Sequence, residues 1–300
     1  MRDADAATLS VHPTAVALRG GARLGRYARW WRRHPRLLFF SIVILGMVIV
    51  GAAAPVLAPA DPIKTHPAQA LQPPSRRHLL GTDNLGRDVL SRVIYGARIS
   101  LAVAVIAVSI ALTGGVTMGL IAGYRGGFID HLFSRFIDAL LAFPGILLAL
   151  AITNALGPSL RNAMVAVGIL GIPAYFRLTR GQVLQAREQE YVTAARVLGA
   201  SHARIIRRHI LPNIVNPLII AASLASSGAI LALAALSFLG LGTQPPQPDW
   251  GSMILLGATY LSKADWLWLG PGAAIFMTVF SFYMLGDALR DALDPRLRNR

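Results

Sequence analysis

Five stretches of this chain contain no Asp, Glu, Lys or Arg residue, and each of them has membrane length. An α-helix rises about 1.5 Å per residue, so about 20 apolar residues cross the hydrocarbon core of a bilayer. The stretches are continuously apolar, whereas the strands of a membrane β-barrel alternate in polarity. The sequence therefore predicts a helical membrane protein and excludes an ordinary water-soluble domain. The stretches comprise residues 37–60, 99–124, 139–160, 213–248 and 266–286.

A sixth, shorter apolar stretch, 162–176, is bounded by Arg161 and Arg177. Long arginine side chains can reach the membrane surface, and a helix that continues through Thr179 attains membrane length. We therefore predict an all-α polytopic membrane protein with six transmembrane helices. Pro144 is expected to kink the third helix, because proline removes a backbone hydrogen bond.

The basic residues are divided unevenly between the two sides of the predicted spans. Of the 29 Lys and Arg residues, 21 lie on the same side as the N-terminus. Basic residues accumulate on the cytoplasmic side of membrane proteins, so both termini are predicted to be cytoplasmic. The first apolar stretch exceeds the roughly 7–15 residues of a signal-peptide core, so we expect an uncleaved span. The tail 1–36 is expected to be disordered or to lie on the membrane surface.

Several function classes are not supported by the composition. The net charge of +15 comes almost entirely from Arg residues that flank the apolar stretches, so it does not indicate nucleic-acid binding. Neither Lys64 nor Lys263 follows a glycine, so a Gly-Lys-Ser/Thr phosphate loop is absent. The chain has no Cys, and its seven His residues lack the spacing of metal ligands. We expect no metal, no bound cofactor and no catalytic residue, with a membrane enzyme or scaffold as an alternative class.

The segment 177–212, between the fourth and fifth predicted spans, carries the most specific pattern in the chain. Four of its residues recur at positions i, i+3, i+4 and i+7, which predicts a short helix with an apolar stripe. These residues are Tyr191, Ala194, Ala195 and Leu198. Gly199 is predicted to end this helix, Ser201 to cap a second one through Arg208, and Pro212 to stop the second. The alternative is a hairpin that merely connects two spans.

The same segment resembles the EAA loop of ABC importer permeases. Its motif consists of Thr193, Ala194 and Ala195, three intervening residues, Gly199, and then Leu211 and Pro212. In that family the loop is a coupling helix that docks into a groove on the ATPase subunit, so the resemblance implies the same role here. The motif departs from the family pattern at Thr193, where Glu is common, and at His209, where Ile is usual. The residues expected in the docking loop are Glu190, Tyr191, Thr193, Ala194, Ala195, Leu198, Gly199, Ala200, Ser201, Arg204, Leu211 and Pro212.

A second motif follows the first predicted span and reads Gly-Thr-Asp-x-x-Gly-Arg-Asp. Its glycines indicate a turn, after which apolar residues at helical spacing lead into the second span. The motif residues are Gly81, Thr82, Asp83, Gly86, Arg87 and Asp88. Together with blocks 236–251 and 286–296, this motif resembles the dipeptide/oligopeptide/nickel branch of ABC importer permeases, which contains the DppC/OppC-like subunits. The resemblance covers residues 35–297 and implies that this loop is external.

The resemblance implies a MetI-like fold in which one additional N-terminal helix precedes a five-helix core. It also implies a permease subunit of a binding-protein-dependent importer in the bacterial inner membrane, which moves dipeptides, oligopeptides or a related small solute. The expected domains are a cytoplasmic tail (1–36), a first transmembrane helix with an external loop (37–98), the core (99–287) with its coupling loop (177–212), and a cytoplasmic tail (288–300).

The family also implies partners. These are a homologous DppB/OppB-like permease subunit, two cytoplasmic ATPase subunits, an extracytoplasmic solute-binding protein and membrane lipid, but no nucleic acid. The ATPases would bind ATP and Mg, and this chain would bind neither. An ATP-independent secondary carrier or channel is the alternative function. Inverted repeats or charged, discontinuous helices at mid-membrane would indicate that alternative, and the sequence shows neither.

Polar residues inside the apolar stretches are candidates for a solute pathway, because an uncompensated polar group in lipid costs free energy. The candidates are Asn154, Ser223, Ser226 and Ser227. The three serines lie among small residues, so close helix packing is the alternative interpretation. Asp138, at the start of the third span, is expected to pair with Arg135.

Overall fold

The computed structural model describes residues 34–293 and folds them into helices joined by turns and loops. One isolated β-bridge, between Thr82 and Asp88, is the only strand-like pairing within this range. A 3-10 turn spans Pro67–Gln69, and a π-helix spans Ile206–Ile210. The α-helices are α1 (Pro35–Ala52), α2 (Ala54–Leu57), α3 (Val89–Arg125), α4 (Gly127–Leu141), α5 (Gly145–Leu156), α6 (Leu160–Arg187), α7 (Glu190–Val197), α8 (His202–Ile205), α9 (Leu211–Phe238), α10 (Trp250–Thr259) and α11 (Trp266–Leu293).

Five helical rods are long and apolar enough to cross a membrane. They are α1, α3, α6, α11 and the rod His202–Phe238, which contains both α8 and α9. A sixth crossing depends on the bent pair of α4 and α5, so six is an approximate count. The prediction of an all-α, multi-pass membrane fold is confirmed. The predicted tail 1–36 lies outside the described residues except for its last three, and residues 294–300 lie outside them as well.

The third predicted span, 139–160, is not one continuous helix. Residues 142–144 are not helical, and α4 and α5 on either side of them meet at an angle of 91°. Pro144 explains the break, because it donates no backbone hydrogen bond and disfavours helical geometry in the residue before it. α5 has 12 residues and is about 18 Å long, so it is shorter than a hydrocarbon core of about 30 Å. The expected kink is therefore a corner, and the pair forms a broken span or a re-entrant loop.

The fourth span is longer than predicted. α6 ends at Arg187, so residues 180–187, which were expected in a loop, are helical. The apolar pattern stops at Arg177, but a helix continues readily beyond the membrane through Arg, Gln and Leu, which are good helix formers. The change from apolar to charged residues at Arg177 therefore does not mark the end of the helix.

Two apolar stretches extend beyond their helices. In the first, 37–60, α1 ends at Ala52, and Pro55 lies in the separate short helix α2. In the stretch 213–248, α9 ends at Phe238 and the rest forms a loop. The predictions of continuous spans across these two stretches are wrong at their C-terminal ends, because hydropathy does not separate a helix from an apolar loop.

α3 and α6 pack closely along a row of glycines on α3. Gly115, Gly119 and Gly123 are spaced one turn apart, and a methyl group at Gly119 would lie only 2.8 Å from Thr179 Cβ. Small residues at this spacing let helix backbones approach each other in lipid, where the hydrophobic effect does not drive association. The α3–α6 pair forms the centre of the fold. α9 packs against both helices, α11 packs against α9, and α1 packs against α11.

α3 has 37 residues and is about 55 Å long, so it projects beyond the hydrocarbon core. Its first turns contact two connecting segments, 58–88 and 239–265, the second of which contains α10; together we call them the loop cap. Trp250 is buried in this cap, and its Nε1 donates to the Val93 carbonyl at 2.9 Å. The loop cap is a folded layer at one end of the bundle, and the coupling segment, residues 188–212, lies at the other.

Candidate coupling surface and loop cap

α7 forms the first half of the coupling segment and is fixed by one face. Val192 and Ala195 are buried in an apolar cluster that includes residues of α6, α8 and α9. The predicted apolar stripe is therefore divided, because Ala195 faces the protein whereas Tyr191 and Leu198 are exposed. α7 thus has a buried face that anchors it and an opposite face that is open.

The turn after α7 has the geometry that the sequence predicts. Gly199 has φ 77°, in the left-handed region, and its N–H donates to the Arg196 carbonyl while the Ala200 N–H donates to the Ala195 carbonyl. These two bonds form a Schellman C-cap. The Ser201 hydroxyl then caps α8 by accepting a bond from the Arg204 N–H at 3.4 Å. Apart from the two neighbouring residues in the chain, no atom lies within 4 Å of the point where a side chain at Gly199 would begin, so the turn is open on that side.

The second helix of the segment does not stop at Pro212. α8 continues through the π-helix Ile206–Ile210 into α9, and Pro212 lies in the first turn of α9. The wider π turn accommodates the proline: the Leu211 N–H donates to the Ile206 carbonyl, and the Asn213 side-chain amide donates to the His209 carbonyl at 2.7 Å. The prediction of a separate short helix is wrong, because these replacement bonds let the chain pass a proline without ending the helix.

The open face of the coupling segment has an apolar centre. Val197 and Leu198 are 82% and 86% exposed, and both follow the anchored part of α7. Val197 was not predicted as part of the docking surface. The only feature of the sequence that could have indicated it is its position beside Leu198 at the end of a helix. Among the predicted residues, Ala195 is buried and Ala200 and Leu211 are half-buried. The exposed ones are Glu190, Tyr191, Thr193, Ala194, Leu198, Gly199, Ser201, Arg204 and Pro212.

Polar contacts join the coupling segment to α9 and α3, and a neighbouring one joins α6 to α3. The Asn213 amide nitrogen donates to the Tyr191 hydroxyl at 3.2 Å, which ties α7 to α9. The Tyr124 hydroxyl lies 2.9 Å from His202 Nδ1, which ties α3 to α8. Close by, Arg187 at the end of α6 donates to the Gly123 carbonyl at 3.0 Å. The ends of α3, α6 and α9 therefore converge on this segment.

In the loop cap, the Gly-Thr-Asp-x-x-Gly-Arg-Asp motif is organised around the buried carboxylate of Asp83. Its Oδ1 accepts bonds from the Leu85 and Arg87 N–H groups, each at 2.9 Å. Its Oδ2 pairs with Arg87 Nε at 2.6 Å and lies 3.7 Å from Arg92 Nε. Buried charges are tolerated only when they are paired and hydrogen-bonded, and this carboxylate meets both conditions.

The other motif residues complete the same turn. Asp88 caps α3 by accepting a bond from the Ser91 N–H at 2.7 Å, and it accepts another from His78 Nδ1 at 2.9 Å. The Thr82 N–H donates to the Gln72 carbonyl at 3.0 Å. Gly81 and Gly86 both have positive φ, so the backbone there requires glycine. The six residues of the predicted motif therefore form one hydrogen-bonded turn at the start of α3.

Arg92 connects this motif to the distant block 236–251. Its guanidinium donates to the Pro62 carbonyl at 2.8 Å and to the Pro246 carbonyl at 3.3 Å. In the same block, Asp249 is fully buried and caps α10 by accepting a bond from the Ser252 N–H at 3.0 Å. Burial raises the pKa of the Asp249 carboxyl above its ordinary value of 3.8, although the hydrogen bonds it accepts act in the opposite direction.

The four polar residues predicted for a pathway are not brought together. Ser223 donates to the Phe282 carbonyl of α11 at 2.9 Å, and Ser226 and Ser227 donate to carbonyls within α9. These bonds accord with the packing alternative, although Ser227 also lines a cavity of about 390 Å³ between α9 and α11. Asn154 is exposed near the end of α5.

Asp138 pairs with Arg177 of α6 at 3.0 Å, and the expectation of a pair with Arg135 is wrong. Together with the pair formed by Asp130 and Arg180, this contact attaches α4 to α6. The partner lies 39 residues away in the chain, beyond the corner at Pro144. Helical spacing favoured a residue on the same helix, and the kink expected at Pro144 did not indicate that α6 would lie beside Asp138.

The fold is that of a MetI-type membrane transporter. It matches a solved structure of the MetNI methionine ABC transporter in inward-facing conformations, with a TM-score of 0.54 and 16% sequence identity. The match covers 68% of this chain and 97% of the other. At this identity the likeness establishes the fold alone.

The sequence comparisons define the family. Residues 115–299 match the family of binding-protein-dependent transport system inner membrane components, and the chain belongs to this family. It is 47% identical to the dipeptide transport system permease protein DppC of Alkalihalophilus pseudofirmus, over 86% of this chain and 85% of the relative. It is 45% identical to the di/tripeptide permease DppC of Pseudomonas aeruginosa, over 88% of each chain. It is 40% identical to the glutathione permease GsiD of Pectobacterium atrosepticum, over 91% and 92%. The prediction of an ABC importer permease is confirmed.

Proposed function

We propose that this chain is the subunit through which a peptide importer receives mechanical work from a cytoplasmic ATPase. The observation that carries this proposal is the geometry of the coupling segment. Val197 and Leu198 are exposed beside the open turn at Gly199, while Val192 and Ala195 anchor the same helix from behind. An exposed apolar patch on a fixed base is typical of a surface that binds another protein.

The two ends of the bundle support an orientation for the chain. The coupling segment would face the cytoplasm and the loop cap the exterior, with both termini cytoplasmic. The loop cap contains several basic residues, and the rule that basic segments are cytoplasmic, applied to this segment alone, would place it on the opposite side. Arg87 of the loop cap and Arg92 at the start of α3 are buried around the Asp83 carboxylate, so part of the positive charge at this end is neutralised within the fold.

Small peptides are the substrate class that the relatives favour. The three relatives described above are named for dipeptides, di- and tripeptides, and glutathione, which is itself a tripeptide. The proposed partners are a homologous second permease subunit, two ATPase subunits and an extracytoplasmic solute-binding protein. ATP and Mg would bind to the ATPases, and this chain would act without catalytic residues by switching the passage between inward-open and outward-open states.

The experiment compares Gly199→Glu with Gly199→Ala in the full importer. Both substitutions place a side chain at a positive φ, but only Glu adds bulk and charge beside Leu198. Tagged complexes are purified from gently solubilised membranes and analysed for ATPase subunits and solute-stimulated ATP hydrolysis. We expect Gly199→Glu to insert normally and to lose about tenfold or more in ATPase association, the effect of disrupting the centre of an interface. We expect Gly199→Ala to retain it.

Two results would contradict the proposal. One is equal recovery of the ATPase subunits with wild type and Gly199→Glu, which would make the segment a connector between spans. The other is solute transport by the chain purified alone without ATP, which would favour the carrier alternative.

A further inference from the structure

Tyr124 makes an unusual contact at the corner between α3 and α4. Its hydroxyl lies 2.9 Å from His202 Nδ1, and the two rings meet edge to face with centroids 5.6 Å apart. Within residues 34–293, this is the only hydrogen bond that joins α3 to the coupling segment. The two residues are 78 positions apart in the chain, so the contact is a feature of the tertiary structure.

The contact adds a polar link between the start of the rod and the α3–α6 pair, which also pack together through α9. His202 is the first residue of the rod His202–Phe238, which continues from the coupling segment into the membrane. Tyr124 lies one position after Gly123, the last glycine of the row that packs α3 against α6. The Arg187 side chain bonds to the Gly123 carbonyl and closes the same end of the α3–α6 pair. The tyrosine therefore holds the start of the rod against this pair.

The π-helix Ile206–Ile210 gives this contact a mechanical role. A π segment inside a helix is a wide, locally irregular turn, and such turns are common sites of bending. If α8 moved while α3 did not, the rod could absorb the movement by bending at this segment. A contact between α8 and α3 opposes that bending, so movement of the coupling segment has to displace the α3–α6 pair as well as α9.

We propose that Tyr124 and His202 are positioning residues that transmit movement of the coupling segment to the α3–α6 pair. The inference rests on the docking role proposed above for that segment. Neither residue has to touch solute or nucleotide. Loss of the contact should leave the ATPases bound and hydrolysing ATP, and it should lower the amount of solute moved per ATP.

The substitutions separate the hydrogen bond from the ring contact. Tyr124→Phe keeps the ring and removes the hydroxyl, whereas His202→Leu removes the ring and its nitrogen. His202→Asn loses the ring but places an amide oxygen near the position of Nδ1, so it restores a partner for the tyrosine hydroxyl. Tyr95→Phe is the matched control, because Tyr95 lies on α3 at the opposite end and its hydroxyl makes no hydrogen bond within the described residues.

The experiment uses the complete importer in proteoliposomes, with radiolabelled alanyl-alanine as the transported probe. ATPase association, ATP hydrolysis and uptake are measured together. We expect Tyr124→Phe and His202→Leu each to lower uptake per ATP by about fivefold, the factor that one typical hydrogen bond contributes to an equilibrium. We expect normal ATPase association, a double variant no worse than either single variant, and recovery of most uptake in His202→Asn.

The outcomes distinguish this inference from the docking proposal. Uptake per ATP in Tyr124→Phe equal to that in Tyr95→Phe would overturn the inference, even if Gly199→Glu abolishes ATPase association. Additive losses in the double variant would overturn it too, because the two residues would then act separately. Unchanged association in Gly199→Glu would remove the docking role itself, and the inference with it.

Discussion

The two ends of the helical bundle are stabilised by different kinds of contact. In the loop cap, Asp83 is 1% exposed and its carboxylate meets two arginines and two backbone N–H groups. In the coupling segment, the polar contacts are partly exposed, and large apolar side chains such as Leu198 point away from the protein. Buried, fully paired charges favour one geometry, whereas an open apolar face needs a partner to cover it. Local movement is therefore expected at the coupling segment before the loop cap.

Loss of the Asp83 carboxylate should produce the largest effect. Asp83→Ala leaves Arg87 and Arg92 buried without their common partner, and we expect a loss of about 3–5 kcal/mol in the free energy of unfolding. Thermal unfolding of the purified complex measures it. The control is Asp138→Ala, which breaks an ion pair whose two side chains are 60% and 56% exposed and should cost about 1 kcal/mol or less. Equal losses in the two variants would contradict the greater stabilisation expected from the buried, fully paired charges of the loop cap.

Two glycines at positive φ allow a direct comparison of the two regions. Gly86 in the loop cap has φ 72°, and Gly199 in the coupling segment has φ 77°. Alanine at either position should cost about 1 kcal/mol in backbone strain. At Gly86 the added methyl group would also overlap the His66 carbonyl oxygen, whereas the space around Gly199 is open. We therefore expect Gly86→Ala to lose about 1–3 kcal/mol more than Gly199→Ala in the same unfolding measurement. A smaller loss at Gly86 would show that the loop cap can shift to admit the methyl group.

Asp249→Asn should have the smallest effect, and the effect should depend on pH. Because the pKa of Asp249 is raised in the folded protein, the folded state retains a proton that the unfolded state releases. The stability of the wild type should therefore fall as the pH rises from about 4 towards the folded-state pKa. Asn does not titrate and caps a helix as well as Asp does, so the variant should match the wild type at low pH and exceed it at neutral pH. Melting temperatures at several pH values test this, and parallel curves for the two proteins would contradict it.

Most of the fold could be predicted from the sequence because lipid imposes a simple rule on it. A spanning helix must be apolar and about 20 residues long, so the apolar stretches locate the spans. The ends of the helices were harder to predict from the sequence. Pro144 signals a kink but gives no angle, and the apolar loop after Phe238 has the same hydropathy as the helix before it. Helix ends outside the membrane depend on capping and packing, which hydropathy does not report.

The local geometry of the site could also be predicted, whereas its long-range contacts could not. Gly199 and Ser201 act within a few residues of their own positions, so their turn and cap follow from residue type. Arg92 meets Pro246 across 154 residues, and only the tertiary structure brings them together. The prediction that Pro212 ends the second helix was wrong, because hydrogen bonds made by the π turn and by the Asn213 side chain replace those that a proline removes. No single residue in the sequence indicates this combination.

The length of α3 has a further consequence. One unbroken helix carries Arg92 among the contacts of the loop cap and Tyr124 beside the coupling segment. A small tilt about its middle would shift both ends in opposite directions, in proportion to their distance from the pivot. Any such tilt that begins at the loop cap would therefore also displace the start of α8, because one continuous helix makes hydrogen bonds at both ends of the bundle.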